Sequence, residues 1–294
     1  MPKELEPSNN ERLFILEALR QGLRLDSREL DVIRPLSLTF GREYGLADVS
    51  LGATRVLARV SADVVSPFSD RPFDGIFTIT TELGPMASPA FEVGRPTETE
   101  VLLARLIEKS IRRSAALDTE SLCIVAGQKV WHVRCDVHVL NHDGNLVDAS
   151  CIAVVSALQH FRRPDVSVEG EKVTIHTLTE RVPVPLSILH VPICITFSYY
   201  EGGEITLLDA NLQEEQLREG EMTVTMNRHG EVCQISKAGG VERDAGRLYT
   251  DIRMAQGKVQ EVTEFIAMRL KEDQKERTRR DNLLGASASN DRHE

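Results

Sequence analysis

No apolar run in this chain approaches the roughly 20 residues needed to span a bilayer. The N-terminal stretch MPKELEPSNNERL is polar and acidic, unlike a signal or transit peptide. Both absences predict a cytosolic or nuclear home. The five cysteines, Cys123, Cys135, Cys151, Cys194 and Cys233, lie far apart without a CxxC pair. That spacing indicates neither a zinc site nor a redox motif, and buried reduced thiols are expected. GxGxxG, the P-loop and the GxSxG elbow are absent, which removes the commonest nucleotide-binding and serine-nucleophile readings. The single tryptophan, Trp131, sits in an apolar alternation and is expected in the core. Basic charge is not in excess: the net charge is −10. Wrapping of duplex DNA by the whole surface is therefore disfavoured, while a local basic stripe is not.

The 294 residues, 41% hydrophobic, suffice for one large domain or two modest ones. Ser8 to Gly22 reads as a helix, with Ser8 and Glu11 at capping-box spacing. Short strands follow at Leu36–Phe40, Ala47–Leu51, Thr54–Val65 and Gly75–Thr81, and Pro67 to Pro72 reads as a loop. Glu98 to Ala116 is a helix with Leu103, Ile107 and Ile111 along one stripe. Leu122–Ala126 and Lys129–Leu140 pair as a hairpin across Gly127-Gln128, and a helix Val147–Phe161 stops before Pro164. A second block begins about Val173, with strands at Val173–Leu178, Val191–Tyr199 and Glu204–Ala210. A hairpin of Met222–Met226 with Val232–Ser236 follows, then a helix capped by Asp244. The order predicts two sheet-plus-helix units of the α+β kind. From about Lys271 the pattern is polar and charged, and the last ten residues, GASASNDRHE, are expected to be disordered.

Three constellations could carry chemistry. In Lys129–Leu158 a strand alternates Trp131, Val133, Cys135, Val137 and Val139 against His132, Arg134, Asp136 and His138. The two histidines lack a third metal donor at ligand spacing and read as a polar strand face. A turn, Asn141-His142-Asp143-Gly144, then leads to a helix starting near Asn145. The amides of that helix N-terminus should be free to bind an anion. No Lys, Arg, Ser or Thr occupies Gly144 to Val147 to complete a phosphate site. Asp148 in the first turn reads as a partner of the helix dipole, and Asp143 with Asp148 would repel an incoming phosphate.

The second constellation is Arg105, Lys109, Arg112 and Arg113. At about 100° per residue they spread over roughly 100° opposite Ile107 and Ile111. The i, i+4, i+7 ladder can follow an RNA backbone, or it can be a solvated face with ion pairs such as Glu108 to Arg112. The third is Asp209 with Glu214 and Glu215 at the end of an apolar strand. These carboxylates could serve as acid/base or metal ligands, or they could be a strand end running into an acidic loop.

Taken together, Arg24-Leu-Asp-Ser-Arg28, Arg34-Pro35, Gly52-Ala-Thr54-Arg-Val56 and the segment Arg105 to Arg113 resemble the RNase PH family. The Trp131–Val139 strand, Asp143-Gly144, Asp209 to Glu215 and Ser236-Lys-Ala-Gly-Gly240 extend the likeness over about residues 10 to 270. Within the family, the strings EKSIRRSAALDTESLCIVAGQKVW, DASCIAVVSALQHF and VPVPLSILHVPICITFSYY are similar to ring subunits of the eukaryotic RNA exosome of the polymyositis/scleroderma autoantigen type. The resemblance implies an α/β (α+β) fold of tandem βαβα units like domain 2 of ribosomal protein S5. It places a first RNase PH-like domain at 1–190, a second at 191–270 and a charged, flexible tail at 271–294.

It further implies a six-membered ring of unlike pairs, with cap subunits carrying RNA-binding domains above and a hydrolytic nuclease below. Single-stranded RNA threads the ring for 3′-to-5′ processing and degradation, including rRNA maturation and mRNA turnover, in nucleus, nucleolus and cytoplasm. Active phosphorolytic members place Gly-Thr-Arg or Gly-Ser-Arg where this chain has Gly144-Asn145-Leu146, and two Asp six apart where it has Asp209 and Glu215. The expectation is a catalytically inactive subunit with a degenerate site at Gly144, Asn145, Leu146, Asp209 and Glu215, needing no cofactor or metal. It would bind RNA through Arg105, Lys109, Arg112 and Arg113. The rival is a phosphate-dependent 3′-to-5′ exoribonuclease using Asp209 and Glu215.

Overall fold

A computed structural model describes residues 7–92, 94, 96–169, 172–177 and 180–290. Helix α1 (Asn9–Arg20) starts at a complete capping box: Glu11 donates its amide to the Ser8 hydroxyl, and the Ser8 amide donates to the Glu11 carboxylate. Then come β1 (Leu36–Phe40), β2 (Leu46–Leu51), β3 (Thr54–Val65), β4 (Ile76–Leu83), α2 (Glu98–Arg112), β5 (Cys123–Val125) and β6 (Lys129–Asn141). The first sheet has the order β1-β2-β3-β6-β4, with β5 on β6. All its pairs are antiparallel except β4 with β6, which are parallel and joined through α2. The β3/β6 register sets Val56 opposite Val139 and Val60 opposite Cys135, so the alternation in the sequence fills one buried face.

Helix α3 (Leu146–His160) follows β6 directly. It packs on β2, β3 and β6 on one side and on β11 (Ile193–Tyr200) on the other. Burial on both sides explains why the helix is apolar almost all round, and Ala149, Ala153 and Ala157 bring its axis close to its neighbours. Between these elements lie β7 (Arg162–Arg163), β8 (Val166–Glu169), β9 (Lys172–Ile175) and β10 (Val184–Pro185), forming two two-stranded sheets. The expected strand Val173–Leu178 is represented by β9, and Leu178 lies outside the described residues.

The second sheet has the antiparallel order β12-β11-β13-β14, from β12 (Ile205–Leu208), β13 (Gly220–Met226) and β14 (Val232–Ser236). All eight residues of β11 are buried. A short helix, α4 (Leu212–Leu217), joins β12 to β13. A satellite cluster of Ile15, Leu19, Tyr200, Leu207, Ala210 and Leu217 docks α1 beside β12.

The final helix, α5 (Ala245–Asn290), buries Ala255, Val259, Val262 and Ile266 against β11, β13 and β1. The flexible tail expected from Lys271 is instead the continuation of this helix, and only residues 291–294 lie outside the described residues. The reason is polar rather than apolar docking. Arg269 donates to the Leu38 carbonyl at 3.0 Å, and Arg277 donates to the Arg42 carbonyl at 2.7 Å and stacks 4.6 Å over the Tyr44 ring. Asp273 lies 2.6 Å from Arg277 and 3.2 Å from the buried His160 imidazole. A charged stretch without an apolar stripe hides such an anchor.

Trp131 is buried as expected. Of the cysteines, all free, Cys135, Cys151 and Cys194 are buried, whereas Cys123 and Cys233 are only half-buried at strand edges.

Candidate functional site: a degenerate anion site and a basic groove

The first site forms where the β6–α3 turn meets the end of β12. Gly144 has φ +82°, and a Cβ there would lie 2.5 Å from the Asn211 carbonyl carbon and 2.6 Å from the Leu212 nitrogen. Only glycine lets the turn lie against that backbone. Asn145 and Asp209 both adopt the left-handed region, at φ 52° and 51°. Such backbone is strained by about 1–3 kcal/mol per residue and persists where contacts over-determine it.

Those contacts are arginines. Arg24, fully buried, donates to the Leu208 and Asp209 carbonyls at 3.0 and 2.9 Å and grips the Glu214 carboxylate bidentately at 3.0 and 2.6 Å. The Asp209 carboxylate accepts from the Arg34 amide at 2.7 Å, from Arg34 Nε at 3.0 Å and Nη2 at 2.9 Å, from Arg28 Nη1 at 3.1 Å and from Asn145 Nδ2 at 2.7 Å. Arg34 also reaches the Asp143 and Gly144 carbonyls, and Thr54 Oγ1 donates to the Gly144 carbonyl at 2.7 Å. Arg24, Arg28 and Arg34 thus tie the first sheet and the Gly144 turn to the end of β12. Burial alone would raise the Asp209 carboxyl, but the Arg34 bonds outweigh it and hold the group below the ordinary range. Asp209 is a charged tether with both oxygens saturated.

Asp148 lies in the first turn of α3, as expected. It is also buried, accepts from Thr196 N and Oγ1 at 3.0 and 2.8 Å and from Asn145 Nδ2 at 3.0 Å, and its carboxyl is pushed up to about 7 by burial. These bonds tie the first turn of α3 to β11 in the interior.

Of the amides at the α3 N-terminus, that of the N-cap residue is engaged: the Asn145 amide donates to Glu215 Oε1 at 2.9 Å, which sets a carboxylate of the protein itself at the start of the helix. Burial raises the Glu215 carboxyl against the opposing pull of Arg218 and the Asn145 amide. Arg218 bonds Glu215 at 3.2 Å and also pairs with Glu221. These residues edge a cleft of about 780 Å³ walled by Leu102, Leu103, Leu106, Leu146, Val147 and Leu212. Among its described lining, Arg218 is the one lysine or arginine and faces two carboxylates. Glu214, Glu215 and Asp209 do not converge on a common point, because each is held by its own arginine.

The second site is the outer face of α2. Ile107 and Ile111 are buried, and Arg105, Lys109, Arg112 and Arg113 are all exposed, as their spacing predicts. Glu108 pairs with Arg105 at 3.2 Å and with Arg112 at 2.7 Å, the ion-paired face that was the alternative to RNA binding. Exposed pairs of this kind are worth about 0–1 kcal/mol and yield readily to a polyanion. The four cations line a groove of about 890 Å³ closed by the β3–β4 loop. That loop adds Phe68, Arg71 and Asp74, which the sequence shows only as part of a loop. For Phe68 and Arg71 the signal is an aromatic and a basic side chain held between Pro67 and Pro72.

Two family models match the chain: the 3′ exoribonuclease family domain 1 over residues 32–164, and domain 2 over residues 190–245. The exosome complex component rrp45 of Schizosaccharomyces pombe is 54% identical over 99% of this chain and 100% of that one. The Saccharomyces cerevisiae component RRP45 is 49% identical over 95% and 96%. Among solved structures, a chain of the Archaeoglobus fulgidus exosome with RNA bound to the active site superposes with a TM-score of 0.75 at 30% identity, covering 86% of this chain and 96% of that one. With its two matched domains and the near full-length likeness to RRP45 proteins, the chain belongs to the RNase PH-like 3′ exoribonuclease family.

Proposed function

We propose that this chain is a non-catalytic ring subunit of an RNA exosome, holding single-stranded RNA along α2 while other subunits cut it. The observation that carries the reading is the Glu215 carboxylate on the Asn145 amide, where an attacking phosphate would need to sit. Leu146 stands where active relatives carry an arginine. Losing a bidentate clamp on the nucleophile removes several kcal/mol of positioning and charge stabilisation. The relatives named as exosome components support assembly into such a complex. The partners on this reading are other RNase PH-like ring subunits, cap subunits carrying RNA-binding domains and hydrolytic nucleases. On this reading the chain serves rRNA maturation and mRNA turnover in nucleus, nucleolus and cytoplasm.

The exoribonuclease reading has one observation in its favour: the raised Glu215 carboxyl borders an open cleft, as a general acid would. Against it, Asp209 has no oxygen left for a metal or a proton. The RNA role is tested by charge reversal, Arg105→Glu with Arg112→Glu, in the assembled complex. RNA protection should weaken while the ring still forms. Unchanged RNA affinity at both low and high salt removes α2 from the RNA path.

A further inference from the structure

We propose that the β3–β4 loop completes the α2 groove as a single-stranded RNA site, with Phe68 stacking on a base and Arg71 neutralising a phosphate. The inference rests on the α2 reading and extends it from a row of charges to a site that also engages bases.

Phe68 is 61% exposed, an unusual cost for a phenyl ring, and it lines the same groove as Arg105, Lys109, Arg112 and Arg113. Arg71 brings the cations of the groove to five, against the two carboxylates Asp74 and Glu108, in a chain whose net charge is −10. An aromatic beside a basic track is the combination that binds single strands without sequence preference. The charges follow the backbone and the ring takes a base face.

The loop is also built to hold these groups in place. The Arg71 amide donates to the Phe68 carbonyl at 3.1 Å, closing a turn. Just beyond it, the Gly127 amide donates to the Pro72 carbonyl at 2.9 Å, and the Gly75 amide donates to the Thr119 carbonyl at 2.9 Å. Fixed backbone on both sides of Arg71, with Pro67 and Pro72 restricting φ, lowers the ordering cost on binding. Phe73 provides an internal comparison. It is equally exposed, at 64%, but lies outside the groove lining.

The test is RNA binding by the assembled complex across a salt series, with uridine and adenosine oligomers and an abasic oligomer of the same length. Phe68→Ala and Phe68→Leu should each weaken base-bearing RNA roughly ten-fold. They should leave the salt slope and abasic binding unchanged, and Phe68→Trp should retain affinity. Arg71→Ala should reduce the slope of log K against log salt by about 0.7 for all probes. Phe73→Ala should have no effect. If the α2 charge reversal weakens RNA but the Phe68 and Arg71 variants bind normally, this inference is wrong and the α2 reading stands. If none of them weakens RNA, both fall. If Phe68→Leu prevents ring assembly, or weakens abasic and base-bearing RNA equally, Phe68 is a subunit contact and the stacking role is overturned.

Discussion

Glu215 Oε1 accepts the backbone amide of Asn145 at 2.9 Å, across 70 residues of sequence. One hydrogen bond therefore joins the β6–α3 turn to α4 and sets a carboxylate at the start of α3. Leu146 next to it supplies packing to the cleft instead of a cation. The same pair of segments is locked from beneath by Asn145 Nδ2, which bridges Asp148 and Asp209. Together these bonds form a joint between the two sheets.

The joint should be sensitive to its arginines. Arg34→Met leaves the buried Asp209 carboxylate short of two of its donors, and removal of one partner of a buried pair costs about 3–5 kcal/mol. The Arg34 amide survives the substitution, which sets the expectation toward the lower end. Adding Asp209→Asn should recover a large share, because the uncompensated charge is gone. Thermal melting of the two single variants and the double variant measures this. Additive losses would mean that the two residues do not act as a pair.

Asp148 should make stability pH-dependent. Its carboxyl titrates near 7 in the fold against 3.8 for the ordinary group, so the folded state holds the proton more tightly. The stability it contributes is fully present below about pH 4 and is lost as pH rises through about 7. His160 works in the opposite direction. Burial and the nearby Arg277 lower it to about 4 from 6.5, so its contribution is present above pH 6.5 and lost as pH falls through about 4. Asp148→Asn keeps the shape and can donate to Thr196 Oγ1. Relative to wild type, the variant should gain stability from pH 5 to about pH 7 in urea midpoints and level off by pH 8. A constant difference across that range would show that Asp148 is not the group that titrates.

Anchoring of the end of α5 should depend on Arg277. Arg277→Ala removes the stacking on Tyr44, the bond to the Arg42 carbonyl and the pair with Asp273, contacts worth about 1–3 kcal/mol together. Amide exchange in residues 270–280 should accelerate while exchange in 255–266 stays slow. Uniform exchange along the helix, before and after the substitution, would mean that these contacts do not fasten it.

Glu108 holds back the basic face. Glu108→Gln releases Arg105 and Arg112 from their pairs and removes one of the two carboxylates in the groove. RNA affinity of the complex should rise about two- to ten-fold at low salt, with the gain shrinking at high salt. A loss of affinity would place Glu108 among the RNA contacts.

Local patterns in the sequence carried most of the elements. The alternation through Trp131 to Val139 reads as β6, and the Ile107/Ile111 stripe orients α2 together with its cations. The site was legible as residues but not as geometry, because its bonds run over long separations, from Arg24 to Glu214 and from Asn145 to Glu215. A helix N-terminus and a first-turn Asp148 are legible locally, whereas the carboxylate from Glu215 and the bonds from Thr196 come from distant segments. Helix α4 escaped notice because six residues show no apolar period, although Asn211 and Glu214 stand at capping-box spacing and do form one. The end of α5 looked like a tail because its docking uses arginine, aspartate and backbone carbonyls, which hydropathy does not register.

The central claim is that this chain contributes structure and RNA contacts, not phosphorolysis. The most direct measurement is release of nucleoside diphosphates from single-stranded RNA by the assembled complex, with and without inorganic phosphate, for wild type and Glu215→Gln. The substitution keeps an acceptor for the Asn145 amide while removing the charge. The account predicts that any phosphate-dependent release is identical in the two complexes. Phosphate-dependent release that is present in wild type and lost in Glu215→Gln, with the ring intact, would contradict it.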